Sequence, residues 1–129
     1  MGGETDLGRL LAHLEPRLEP AAYGFVLLPG AVPAGLDWTA LEREAEGLTA
    51  IAPQAALQAV GLAPGAPWAR ITLTVHSSLD AVGLTAAVSA ALAAAGIPAN
   101  MVAGLNHDHL FVPWDVRAEA MARLEALQG

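Results

Sequence analysis

Three groups of residues in this 129-residue chain have the types and spacing to do chemistry. The first is Ser77-Ser-Leu-Asp-Ala-Val-Gly-Leu84, a short polar loop running into an apolar helical repeat. Backbone N–H groups at the head of a helix lack partners and attract anions. Ser78 or Asp80 is expected to cap that helix, and Gly83 lets a ligand approach the backbone closely. N–H groups near Val82–Leu84 could then receive a carboxylate while Asp80 faces an ammonium. The plainer reading is that Ser77 and Ser78 make a turn and Asp80 only caps. The second group is His107-Asp-His109. Alternate residues of a strand share a face, so two imidazoles could hold an ion with His76 as a third ligand. The competing reading is a polar hairpin that Asp108 organises. The third is Asn100, near a strand start, where a buried amide needs several hydrogen bonds and serves as either ligand contact or structural bracket.

Other chemistries are excluded by what is missing. There is no Cys, hence no disulfide, thiolate metal site or Cys nucleophile. The six basic residues are Arg9, Arg17, Arg43, Arg70, Arg117 and Arg123. With no Lys, a P-loop, a PLP linkage and Schiff-base catalysis are out. The arginines form no patch and net charge is −7, so no nucleic-acid partner is expected. Ser77 or Ser78 with His107 and Asp108 has the composition of a hydrolase, yet Gly-x-Ser-x-Gly is absent. No enzyme activity and no cofactor are expected.

Apolar residues make up 54% of the chain, which argues for a packed core. The acidic N-terminus has no signal core, and the absence of Cys fits a reducing compartment, so a cytoplasmic location is expected. Residues 81–106 carry no formal charge and are long enough to span a bilayer. Gly96-Ile-Pro-Ala-Asn100 interrupts them, so they read as a buried helix and then a strand, with no membrane partner.

The elements that must position these groups follow from periodicity. Leu7, Leu10, Leu11 and Leu14 share a helical face within residues 6–18. Tyr23–Leu28 reads as a buried strand. Residues 38–45 and 48–52 read as strands joined at Glu46-Gly47, and 53–61 as a short helix. Ala63-Pro-Gly-Ala-Pro67 marks a linker. This divides the chain into an abbreviated N-terminal lobe (1–62), a linker (63–68) and a C-terminal lobe (69–129).

The second lobe is patterned more regularly. Ile71, Leu73 and Val75 alternate with Thr72, Thr74 and His76, as in a strand with one buried face. Leu84, Val88 and Leu92 recur every four residues and are stopped by Gly96. Residues 99–105 and 110–113 read as strands, and Asp115 is expected to cap a last helix. Strand, helix, strand, strand, helix is a ferredoxin-like unit without its final strand. Tyr23–Leu28, or an element of a second molecule, is expected to fill the vacancy.

The segment from Arg70 to Leu92, Gly96-Ile-Pro-Ala-Asn-Met-Val-Ala-Gly104 and His107-Asp-His-Leu-Phe-Val-Pro113 resemble the ACT-domain family. With Arg43-Glu-Ala-Glu-Gly-Leu-Thr49 they are similar to a small, stand-alone bacterial branch of unassigned function, over residues 4–128. The resemblance implies an α+β fold of tandem ferredoxin-like (ACT-like) lobes, antiparallel sheets with helices on one face. It implies regulatory binding of a small molecule, an amino acid by preference, by a homodimer. The ligand of such domains lies between two units, touching the first strand–helix loop of one and the second strand of its neighbour. Carried over, the contacts are Ser77, Ser78, Leu79, Asp80, Val82, Gly83 and Leu84, with Asn100 and Met101 from the second strand. The alternatives are a ligand-free protein–protein interaction module and a metal-binding protein using His76, His107 and His109.

Overall fold

Asp6 starts the first helix by accepting a hydrogen bond from the Arg9 N–H at 3.0 Å, a side-chain cap on helix α1 (Leu7–Ala12). From this start the computed structural model describes residues 3–129. Strand β1 (Pro16–Leu27) follows, then β2 (Ala40–Glu44), β3 (Gly47–Pro53), helix α2 (Gln54–Ala59) and β4 (Trp68–Leu73). Helix α3 (Leu84–Ala94), β5 (Asn100–Ala103), β6 (Asp108–Pro113), a 3-10 turn at Trp114–Val116 and helix α4 (Arg117–Ala126) complete the order. The chain packs as two units. One joins the residues up to Glu19 to Ala69–Gly129, and the other is Pro20–Trp68. The 63–68 stretch thus ends where the second unit ends, while α1 belongs with the first.

In the first unit the strand order is β1-β4-β6-β5. The vacancy beside β4 is filled from within the chain, by residues 16–19 of β1 rather than by Tyr23–Leu28. Thr74 N–H reaches the Glu15 carbonyl at 3.4 Å, and the Thr72 hydroxyl donates to Glu19 Oε2 at 2.9 Å. This completes the ferredoxin-like arrangement with a strand that precedes the unit's other strands in the chain. One sheet face carries Ile71, Leu73, Leu110 and Val112, all fully buried. Leu10 and Leu14 from the α1 region, Leu84, Val88 and Leu92 from α3, and Ala120 and Leu124 from α4 pack into the same cluster. Each fully buried Leu or Val contributes roughly 1.5–3 kcal/mol relative to exposure. The four-residue spacing of Leu84, Val88 and Leu92 is therefore the core stripe of α3.

Helix ends explain two departures from expectation. α3 closes as expected: Gly96 has φ 72°, its N–H bonds the Ala93 carbonyl, and Ile97 N–H bonds Leu92. Asp115, in contrast, does not cap α4. It lies inside the 3-10 turn, and no side chain caps Val116 at the head of α4. There Arg117 is the organising residue. It donates to the Trp114 carbonyl at 2.7 Å, with its guanidinium 3.8 Å from the Trp114 ring centre.

The second unit orders its strands β2-β3-β1, all antiparallel. Glu44 pairs with Gly47, so the hairpin turn is Ala45–Glu46, one residue earlier than read from the glycine. Gly47 takes the positive φ, 141°, just after the turn. Leu28, Leu36, Ala50, Ala52 and Leu57 form this unit's core.

Candidate functional site

The β4–α3 loop is pinned at its start by the N-terminal segment. Glu4 N–H donates to the His76 carbonyl at 2.8 Å, and Ser78 N–H donates to the Glu4 carbonyl at 3.0 Å. Gly3 is needed there, because a Cβ would sit 2.7 Å from the Ser78 nitrogen. The loop then turns on itself: Ser78 Oγ accepts from Asp80 N–H at 3.1 Å, and the Ser78 carbonyl accepts from Ala81 N–H. With its hydroxyl committed to Asp80, Ser78 does not cap α3, and neither does Asp80. The cap position is Gly83 at φ 101°, without any side-chain hydrogen bond. The first turn of α3 is left uncapped by side chains because a glycine in this conformation supplies only backbone.

A pocket of about 380 Å³ opens against that turn. Ser77 to Leu79, Ala81 to Ala86, Ala103 and Asp108 line it. Of the expected contacts, Ser77, Ser78, Leu79, Val82, Gly83 and Leu84 converge here. Asp80 does not; with His76, Leu105 and Asn106 it lines an adjoining pocket of about 550 Å³. Asn100 and Met101 line neither. Asn100 is exposed and pairs with Phe111, and Met101 leans on the core. Asp108 and Ala103 are the residues that sequence reasoning missed. They face each other across the β5–β6 hairpin. Alternation along β6 puts Asp108 on the face of Leu110 and Val112, beneath α3. That alternation was the available signal.

Ser77 is buried and donates to Asp108 Oδ2 over a long 3.4 Å. Burial raises the Asp108 pKa above its ordinary 3.8, against the lowering effects of the Ser77 bond and the nearby His107. On the opposite sheet face, Glu19, Thr72 and His109 form a chain. Burial pushes Glu19 up, but hydrogen bonds from Thr72 and Arg17 and the charges of Arg17 and Arg70 leave its pKa lowered. An ionised Glu19 only accepts, so the Thr72 hydroxyl donates to it. His109 Nδ1, 2.9 Å from the same hydroxyl oxygen, must then carry the proton. Burial, then the charge of Arg70, lower the His109 pKa below its ordinary 6.5.

This sets a pH dependence. Below about pH 6.5 the unfolded chain protonates at His109 while the folded chain resists, so stability falls with falling pH across that window. Melting temperatures should drop between pH 7.5 and 5.5 in the wild type and drop less in His109→Asn. Parallel profiles for the two would remove His109 as the cause.

The three histidines do not converge. His107 Nδ1 lies 3.3 Å from the Val75 carbonyl, its ring stands edge-on to His76 at 6.2 Å, and His109 is held by Thr72. Among the described residues no group of three or more His, Cys, Asp or Glu is arranged to hold a metal ion. No helix among them is long and apolar enough to cross a membrane.

Two ferredoxin-like units with a strand–loop–helix pocket define a pair of small regulatory-type domains. Family models of the ACT domain match residues 2–69 and 67–126, and the chain belongs to the ACT-domain family. ACT domains are regulatory and ligand-binding rather than catalytic. Among solved structures it is similar to a Vibrio cholerae protein of unknown function, described as a possible transport protein. Identity is 41%, coverage 91% of this chain and 92% of that one, and TM-score 0.82. An Agrobacterium tumefaciens protein shares 22% identity over 88% of this chain and 87% of its own, at TM-score 0.71. The ligand-free regulatory subunit of aspartate kinase from Thermus thermophilus shares the fold at 13% identity, covering 88% and 95%, with TM-score 0.62. No curated protein matches the sequence.

Proposed function

We propose that the chain is a cytoplasmic regulatory protein that binds an amino acid in the pocket at the head of α3. The observation that carries this is the meeting of an uncapped α3 first turn with the Ser77–Leu84 loop in a pocket of about 380 Å³. The α3 end favours a carboxylate through its N–H groups and dipole. Asn100 and Met101 lie away from the pocket within one chain, so in this reading a second copy supplies them and the working form is a homodimer. Ligand capture would then change how two copies pack, which requires a ligand that binds the two packings unequally.

An amino acid has about ten heavy atoms, so affinities in the micromolar to millimolar range are realistic. A thermal-shift screen with the twenty L-amino acids tests the proposal. Ligand at a hundred times its Kd stabilises by about 2.7 kcal/mol, a clear shift for a domain this size. No shift with any of them would sink the amino-acid reading. Light scattering after size-exclusion chromatography, with and without ligand, tests the dimer.

A second reading has its own support. Leu79, Val82 and Leu105 are 67%, 82% and 71% exposed; Leu79 borders both pockets, Val82 the first and Leu105 the second. Such a patch also suits a ligand-free interaction module. In that case Val82→Ser would weaken protein association, and no amino acid would raise the melting temperature of the wild type.

A further inference from the structure

We infer that Asp108 is the group by which this pocket selects ligands bearing a protonated amine. The inference rests on the small-molecule reading of the pocket and names a residue that reading does not require. Asp108 is the single ionisable side chain among the described residues lining the pocket. β6 delivers it there from the sheet, beside Ser77 at the start of the loop. Its hydrogen-bond partner is Ser77 Oγ at 3.4 Å, which satisfies a carboxylate poorly. Among the described residues no Arg lines the pocket, and the chain contains no Lys.

A half-buried carboxylate in such a place lacks a strong counter-charge. The raised pKa of Asp108, caused first by burial, expresses the same deficit. A ligand ammonium supplies it, because an N–H donor with full positive charge makes a short, strong bond to a carboxylate. A ligand of the same shape without the amine leaves Asp108 desolvated and unpaired. Discrimination therefore comes from the cost of the empty partner as much as from the bond itself. Asp80, the carboxylate first expected to face an ammonium, lines the adjoining pocket instead.

The experiment uses three matched probe sets on the full chain: the twenty L-amino acids, the corresponding acids lacking the amine, and the corresponding amines lacking the carboxylate. Thermal shift identifies responders, and calorimetry ranks them on wild type and on Asp108→Asn. Every responder should carry an amine, with its des-amino partner about ten- to a hundredfold weaker. Asp108→Asn should erase that preference. Des-amino acids that bind as well as amino acids would overturn the role of Asp108 while leaving a small-molecule pocket in place. So would an Asp108→Asn chain that keeps the full preference. The wild-type comparison stands alone if the variant does not fold. Silence of all three sets would overturn both this inference and the reading beneath it.

Discussion

Leu14→Ala is expected to destabilise the protein by about 2–5 kcal/mol, measured as a lower midpoint of urea unfolding. Leu14 is fully buried, in one cluster with Leu10, Leu73, Val88 and Leu124. Truncation removes three carbons from a close-packed site, and the cavity adds to the lost transfer energy. Its backbone is fixed as well, since Val75 N–H donates to the Leu14 carbonyl at 3.4 Å. Leu105→Ala, at a residue 71% exposed, should stay within about 0.5 kcal/mol of wild type. Equal effects for the two substitutions would mean that the N-terminal residues are not part of the first unit's core.

That N-terminal contribution marks the boundary of what sequence could show. The α3 stripe and the Gly96 stop are legible in the sequence; the leucine spacing marks α1, although the helix ends at Ala12 and leaves Leu14 beyond it. Each depends on one local periodicity with its own capping residue. The strand at residues 16–19 was not readable. Pro16 and Pro20 look like breakers, and Arg17 and Glu19 look like a solvated run. Both prolines are accommodated in β1, and Thr72 and Arg17 partner Glu19. That pairing joins positions 53 residues apart, which no local pattern encodes. The Ser77–Leu84 loop is legible as a segment, but its capping is not. Ser78 and Asp80 bond to each other within the loop, which places a glycine at the helix head. The polar-hairpin reading makes Asp108 a turn former. Its alternation with Leu110 and Val112 carries the opposite message, and the pocket obeys the alternation.

Gly104→Val should cost about 1–3 kcal/mol and also remove whatever response the pocket gives to amino acids. Gly104 is not at positive φ, so the demand is purely steric. A Cβ there would sit 2.8 Å from the His107 carbonyl oxygen, an atom of the backbone that cannot rotate away. The same oxygen accepts the Gly104 N–H at 2.9 Å and closes the β5–β6 connection. Relieving the contact means opening that bond, so one substitution produces both the clash and the lost hydrogen bond. His107 immediately precedes Asp108, and the opened turn carries the carboxylate away from the pocket. Binding should therefore fall further than the loss of folded protein accounts for. Calorimetry at a temperature where the variant is fully folded separates the two effects. Wild-type stability in Gly104→Val would show that the turn has room for a side chain. Wild-type binding in a destabilised Gly104→Val would separate the turn from the pocket, leaving Asp108 no geometric link to Gly104.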